Sequence, residues 1–409
     1  MNKEDLKKYA NLLVRAGGNV QKGQVVTIGS DVRDAEFASL VVECAYDAGA
    51  SDVVILWDDE VTTRTRYLRA DNAVFDVYPQ WAVDRFKDFD SRGAVHLRIA
   101  SSNPDALAGV DVDRIMRQNK VARAATKEHS TLFMNNTLRW SIIAVPSPHW
   151  AKKVFPDLPL DEAIEKLGIA LLKVSRADGD DPVKAWEEHQ KTFAKRLNYL
   201  NEQQFSALRI TTGLGTNLTL GLIKNHIWAG GSNTDKNGIA YFPNIPTEEV
   251  FTMPDRNRAD GKVVASMPLA YQGNLIENIV IDFKDGKAIS HDASKNKEIL
   301  TSLLGTDEGA TRLGEMAIVS NSSPISQLGT IFYHTLFDEN ASAHLALGKA
   351  YPFNLENGVN MSADELSKAG VNDSLIHVDF MFGTSDMNIV GIKEDGTEIL
   401  FFEAGEFAI

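Results

Sequence analysis

The sequence predicts an α/β protein: an N-terminal α/β domain with a mainly parallel sheet, followed by a strand-rich α+β domain that carries the chemistry. Three observations lead there. The 409 residues exceed what one hydrophobic core usually fills. In the first half, short apolar runs alternate with amphipathic helical patterns. Beyond about residue 200, β-rich runs separated by Asp-Gly turns take over. The expected domains are 1–200, including a connecting helix, and 201–409.

The first strand is Val25-Val26-Thr27-Ile28. The series Phe37, Leu40, Val41, Cys44 and Ala48 then marks one face of a helix, and Val53-Val54-Ile55-Leu56-Trp57 completes a βαβ unit. Ser30 or Asp31 is expected to cap that helix and Gly49 to end it. Further strands near 94–99 and 141–145 alternate with helices near 111–129 and 161–174. After the polar break Asp178-Gly179-Asp180-Asp181, a helix beginning at Pro182 repeats Trp186, Phe193, Leu197 and Leu200 at helical spacing. It is read as the connection between the domains. Asp285-Gly286 and Asp395-Gly396 predict hairpins in the second domain.

Composition narrows the function. Forty-two basic against 56 acidic residues give a net charge of −14, and no basic tract could follow a phosphate backbone or an anionic lipid surface. Nucleic acid and membranes are therefore excluded as expected partners. The N-terminus mixes charges where a secretory signal needs an apolar run, which points to the cytoplasm. Cys44 is the only cysteine. Neither an intrachain disulfide nor a thiolate zinc site can form, and its place on an apolar helix face makes it structural. Walker A, Gly-x-Ser-x-Gly and His-Glu-x-x-His motifs are all absent. Gly213-Leu214-Gly215 lacks the third glycine of a dinucleotide fingerprint and reads as a tight turn.

Four segments of the second half offer metal ligands in apolar or turn-forming surroundings, where a solvated carboxylate is hard to explain. In Ile376-His377-Val378-Asp379-Phe380-Met381-Phe382, strand alternation places His377 and Asp379 on one face while Val378, Phe380 and Phe382 fill the other. A satisfied His–Asp pair under a hairpin is the plainer alternative. Glu315 opens the apolar run 315–319. The stretch 337–351 adds Glu339, His344 and Tyr351, although helix capping by Asp338 and a core Tyr351 would explain part of it. Glu248 and Glu249 follow a double-proline turn. Together Glu249, Glu315, His344, His377 and Asp379 supply three carboxylates and two imidazoles, a donor set suited to a pair of Zn, Mn or Co ions.

Asn-Ile-Pro-Thr-Glu-Glu-Val-Phe-Thr, Gly-Glu-Met-Ala, Asp-Glu-Asn-Ala-Ser-Ala-His-Leu-Ala-Leu-Gly-Lys-Ala-Tyr and His-Val-Asp-Phe-Met closely resemble segments of the M29 aminopeptidases. The resemblance extends over essentially the whole chain. It implies that Glu249, Glu315, His344, His377 and Asp379 are metal ligands, with Glu339 a further ligand or close neighbour and Tyr351 at the site. It also implies a homodimer acting on short peptides. The expected reaction is hydrolysis of a peptide's N-terminal residue by water activated at a dinuclear centre. In it Glu248 or Glu339 would move the proton and Tyr351 would steady the oxyanion. Two rivals are a nucleotide- or small-molecule-binding protein using the first sheet, and another dinuclear amidase or phosphoesterase.

Overall fold

Val25–Asp31 (β1) is followed by the helix Ala35–Asp47 and by Asp52–Asp58 (β2), which pairs with β1 in parallel. Val95–Ala100 (β3) and Trp140–Ala144 (β4) extend the sheet in the order β2-β1-β3-β4, all pairs parallel. Parallel strands joined through helices are what the alternating patterns predict. Phe37, Leu40, Val41 and Cys44 are buried with β1 and β3 residues in one core. Asp31 caps not this helix but the single turn Val32–Asp34, accepting from Arg33 N. The expected helix near 111–129 is two helices, Val112–Ala125 and Lys127–Met134. At the break, Thr126 Oγ1 donates to the Ala122 carbonyl, a local bond that competes with helix continuation.

The computed structural model describes residues 1–409 apart from 102, 272 and 273. It comprises two units, Met1–His189 with Ser232–Pro246 and Gln190–Gly231 with Thr247–Ile409. The helix Pro182–Gln203 runs from one into the other: Trp186 lies in the first core, Phe193 and Leu200 in the second.

The second unit is built on two largely antiparallel sheets. Its strands begin with Ala207–Thr211 (β5), Asn217–Leu222 (β6) and Ala229–Gly230 (β7). Asn233–Thr234 (β8) and Ala240–Tyr241 (β9) form a small hairpin that belongs to the first unit. The second resumes with Val250–Thr252 (β10), Pro254–Val264 (β11), Leu269–Tyr271 (β12), Asn274–Ile276 (β13), Val280–Lys284 (β14) and Lys287–Asp292 (β15). Leu313–Ile318 (β16), His344–Gly348 (β17), His377–Met381 (β18), Asn388–Ile392 (β19), Glu398–Glu403 (β20) and Glu406–Phe407 (β21) complete it. The larger sheet runs β15-β14-β11-β6-β5-β19-β20-β21, and the smaller β18-β17-β16-β10-β7. Both Asp-Gly hairpins are present, at β14–β15 and β19–β20. Gly213-Leu214-Gly215 is the turn between β5 and β6.

The smaller sheet positions the site. Met316, Ile318, Leu345, Leu347 and Phe380 point into the apolar core. Alternation then turns Glu315, His344, His377 and Asp379 to the opposite face.

Candidate metal centre

In the β16-β17-β18 ladder, Glu315 pairs with Ala346 and Ala346 with Asp379, while His344 pairs with Met381 and Gly348 with His377. Directly opposed residues share a face, so Glu315 and Asp379 flank one alanine methyl. Gly348 adopts φ +104, and a Cβ there would stand 2.2 Å from the Ile376 carbonyl. Only glycine allows β17 to approach so closely beside His377. Glu249 enters from the chain just before β10, beyond β16 in the sheet.

These side chains converge. His344 Nε2 lies 3.0 Å from Glu249 Oε2 and 3.6 Å from Glu315 Oε1. His377 Nε2 lies 3.7 Å from Glu315 Oε2 and 3.4 Å from Asp379 Oδ1. Two donor sets result, Glu249–Glu315–His344 and Glu315–His377–Asp379, and Glu315 turns one oxygen towards each imidazole. Both histidines are oriented from behind: His344 Nδ1 donates to the Ser342 carbonyl at 3.0 Å and His377 Nδ1 to the Lys349 carbonyl at 2.6 Å. A carbonyl can only accept, so Nδ1 carries a proton and Nε2 is the ring nitrogen turned towards the carboxylates.

A divalent cation fits this arrangement. Glu249 Oε2 and Asp379 Oδ1 are buried and accept no hydrogen bond among the described residues, although an imidazole nitrogen is near each. Burial pushes the Glu315 carboxyl up to about 7, against the His344 contact and with added repulsion from Asp379 and Glu249. Burial also raises Glu339 well above the usual carboxylate range, reinforced by Glu249 and Asp379. Burial opposes charge on His377 too, but Asp379 and Glu315 outweigh it and raise the imidazole to about 9. Glu315 and Glu339 pushed towards their neutral forms, and His344 and His377 pushed towards their charged forms, mark a crowded set of carboxylates short of positive charge. Cations would supply it.

The other expected residues lie nearby in different relations. Glu339 lines a cavity of about 250 Å³ together with His377 and Asp379. The Tyr351 ring is 4.7 Å from that of His377, and burial, with Glu315 and Asp379 adding to it, pushes the phenol's pKa up. Glu248 is buried and its backbone N–H donates to Asn340 Oδ1 at 2.8 Å. The two compact donor sets include neither Glu248 nor Glu339 among the described residues.

Asp338 caps no helix. Its carboxylate accepts from Phe332 N at 2.6 Å and His334 N at 2.9 Å, fixing the loop that carries Tyr333. Sequence reasoning missed Tyr271, Tyr333, His334 and Met381, which line the same cavity. Met381 alone carried a signal, two residues beyond Asp379 on one strand face.

The family model described as thermophilic metalloprotease (M29) matches residues 2–407. Aminopeptidase 2 of Geobacillus stearothermophilus is 43% identical over 405 residues, covering 99% of this chain and 98% of that protein. Aminopeptidase PepS of Streptococcus thermophilus is 43% identical over 408 residues, covering 100% and 98%. The solved structure of wild-type AmpT from Thermus thermophilus superposes with a TM-score of 0.92 at 38% identity, covering 100% of both chains. With similarity spanning both units and the donor sets in place, the chain belongs to the M29 family of metalloproteases, hydrolases that use a divalent metal.

Proposed function

We propose that this protein is a metal-dependent aminopeptidase that removes the N-terminal residue from short peptides at a dinuclear centre in its C-terminal half. The observation that carries the reading is Glu315, whose two oxygens each face a separate imidazole-bearing donor set. Glu249, Glu315 and His344 would hold one ion, and Glu315, His377 and Asp379 the other. Zinc, manganese and cobalt all suit oxygen and nitrogen donors without thiolate. When bound, such ions supply Lewis acidity towards the scissile carbonyl and lower the pKa of water.

The chain's own groups do the rest. The Tyr351 phenol, kept protonated by burial, donates to the oxygen that gains charge as the carbonyl becomes tetrahedral. A carboxylate accepts the water's proton and delivers it to the leaving amine. Glu339, on the cavity wall, and Glu248, beside Glu249, are the two candidates; their single replacements by Gln separate them. Both imidazoles keep Nδ1–H on a backbone carbonyl and present Nε2 as a ligand. The aminopeptidase names of its relatives support peptides as substrates; a cytoplasmic homodimer is the accompanying proposal.

The test is the substrate's amine. Turnover of the metal-loaded enzyme should collapse when a peptide's α-amine is acetylated, because a buried carboxylate loses its cationic partner. Equal rates on free and acetylated peptides would indicate an amidase or endopeptidase instead.

A further inference from the structure

We infer that the cavity beside His377 and Asp379 receives the side chain of the substrate's N-terminal residue, with Met381 as its adaptable floor, and that it favours apolar over acidic side chains. The inference rests on the aminopeptidase reading above. Alternation along β18 puts Met381 on the face of His377 and Asp379, while Val378 and Phe380 pack towards the core. Met381 is 3% exposed and lines the cavity of about 250 Å³. A thioether on three rotatable bonds conforms to differently shaped apolar groups.

The remaining walls come from two other elements. Leu269 and Tyr271 of β12 line the cavity and pack against β18, and Ser266 N donates to the Met381 carbonyl at 2.9 Å just before β12 begins. Tyr333 stands opposite in chain origin, on the loop held by the Asp338 carboxylate. Its φ of +56 is in the left-handed region, which a tyrosine adopts only where surrounding bonds dictate it. A strained aromatic in the wall of a cavity beside His377 and Asp379 is a device for placing a ring. Glu339 and Asp379 close the metal side. An apolar side chain meets Met381, Leu269 and Tyr271 in this cavity, whereas an acidic one would bury its charge against them.

Testing uses the manganese-loaded full chain, with kcat/KM on the 4-nitroanilides of Ala, Leu, Phe and Glu, and metal content on each preparation. Wild type should prefer Leu and Phe over Glu. Met381→Ala should lower the Leu-to-Ala selectivity ratio about tenfold while metal content stays at the wild-type level. Tyr333→Gly, which suits the backbone conformation, should lower the Phe-to-Ala ratio similarly and serves as the deciding variant if Met381→Ala loses metal or fold. Unchanged ratios in metal-replete variants would overturn the assignment and leave the aminopeptidase reading standing. Absence of turnover on every aminoacyl substrate would overturn both.

Discussion

His377 is held by its Nδ1 bond to Lys349 and offers Nε2 to Glu315 and Asp379. His377→Ala removes one of the proposed ligands but leaves Phe380 and Phe382 packed in the core. Metal affinity should fall by more than the roughly 10–100-fold typical of losing a supporting partner. The variant should unfold within about 1 kcal/mol of wild type when both are metal-free, since the core side chains are untouched. Metal analysis and thermal melts on one preparation check both; full metal occupancy with a clearly lowered midpoint would identify a structural His–Asp pair instead. At this scale His377 and Asp379 were legible because strand alternation alone puts them on one face. Asp338 was misread because a carboxylate after a Leu-Phe pair resembles a cap. Its real partners, the Phe332 and His334 amides, precede it in the chain.

Ala346 is the element-scale control on the site. It lies between Glu315 and Asp379 in the β16-β17-β18 register, and its methyl leaves the space into which both carboxylates turn. Ala346→Leu should fill that space, cost about 1–3 kcal/mol by overpacking and abolish metal binding. Ala346→Ser should retain metal, a contrast that metal content per folded chain measures directly. Normal metal content in the leucine variant would mean that the two carboxylates do not converge across this strand. The β-rich segments and both Asp-Gly hairpins were legible from local pattern, since turn chemistry and alternation are short-range. The sheet order β18-β17-β16-β10-β7 was not. It brings Glu249 to His344, 95 residues further along the chain, and long-range pairing leaves no trace in either segment.

For the molecule as a whole, the fold class and the M29 resemblance were legible and hold across residues 2–407. The alternation of strand and helix in the first half and its loss in the second carried the fold class. The return of Ser232–Pro246 to the first unit had no sequence signal. Phe242 and Ile245, which enter that unit's core, look like any short apolar pair. The central claim is that two donor sets sharing Glu315 hold the ions on which turnover depends. Its most direct measurement is a metal titration of exhaustively chelated protein, following bound metal per chain and aminopeptidase rate together. Activity should be lost on chelation and return as Zn, Mn or Co binds, reaching its maximum at about two equivalents per chain. Full activity in protein verified as metal-free would contradict the account.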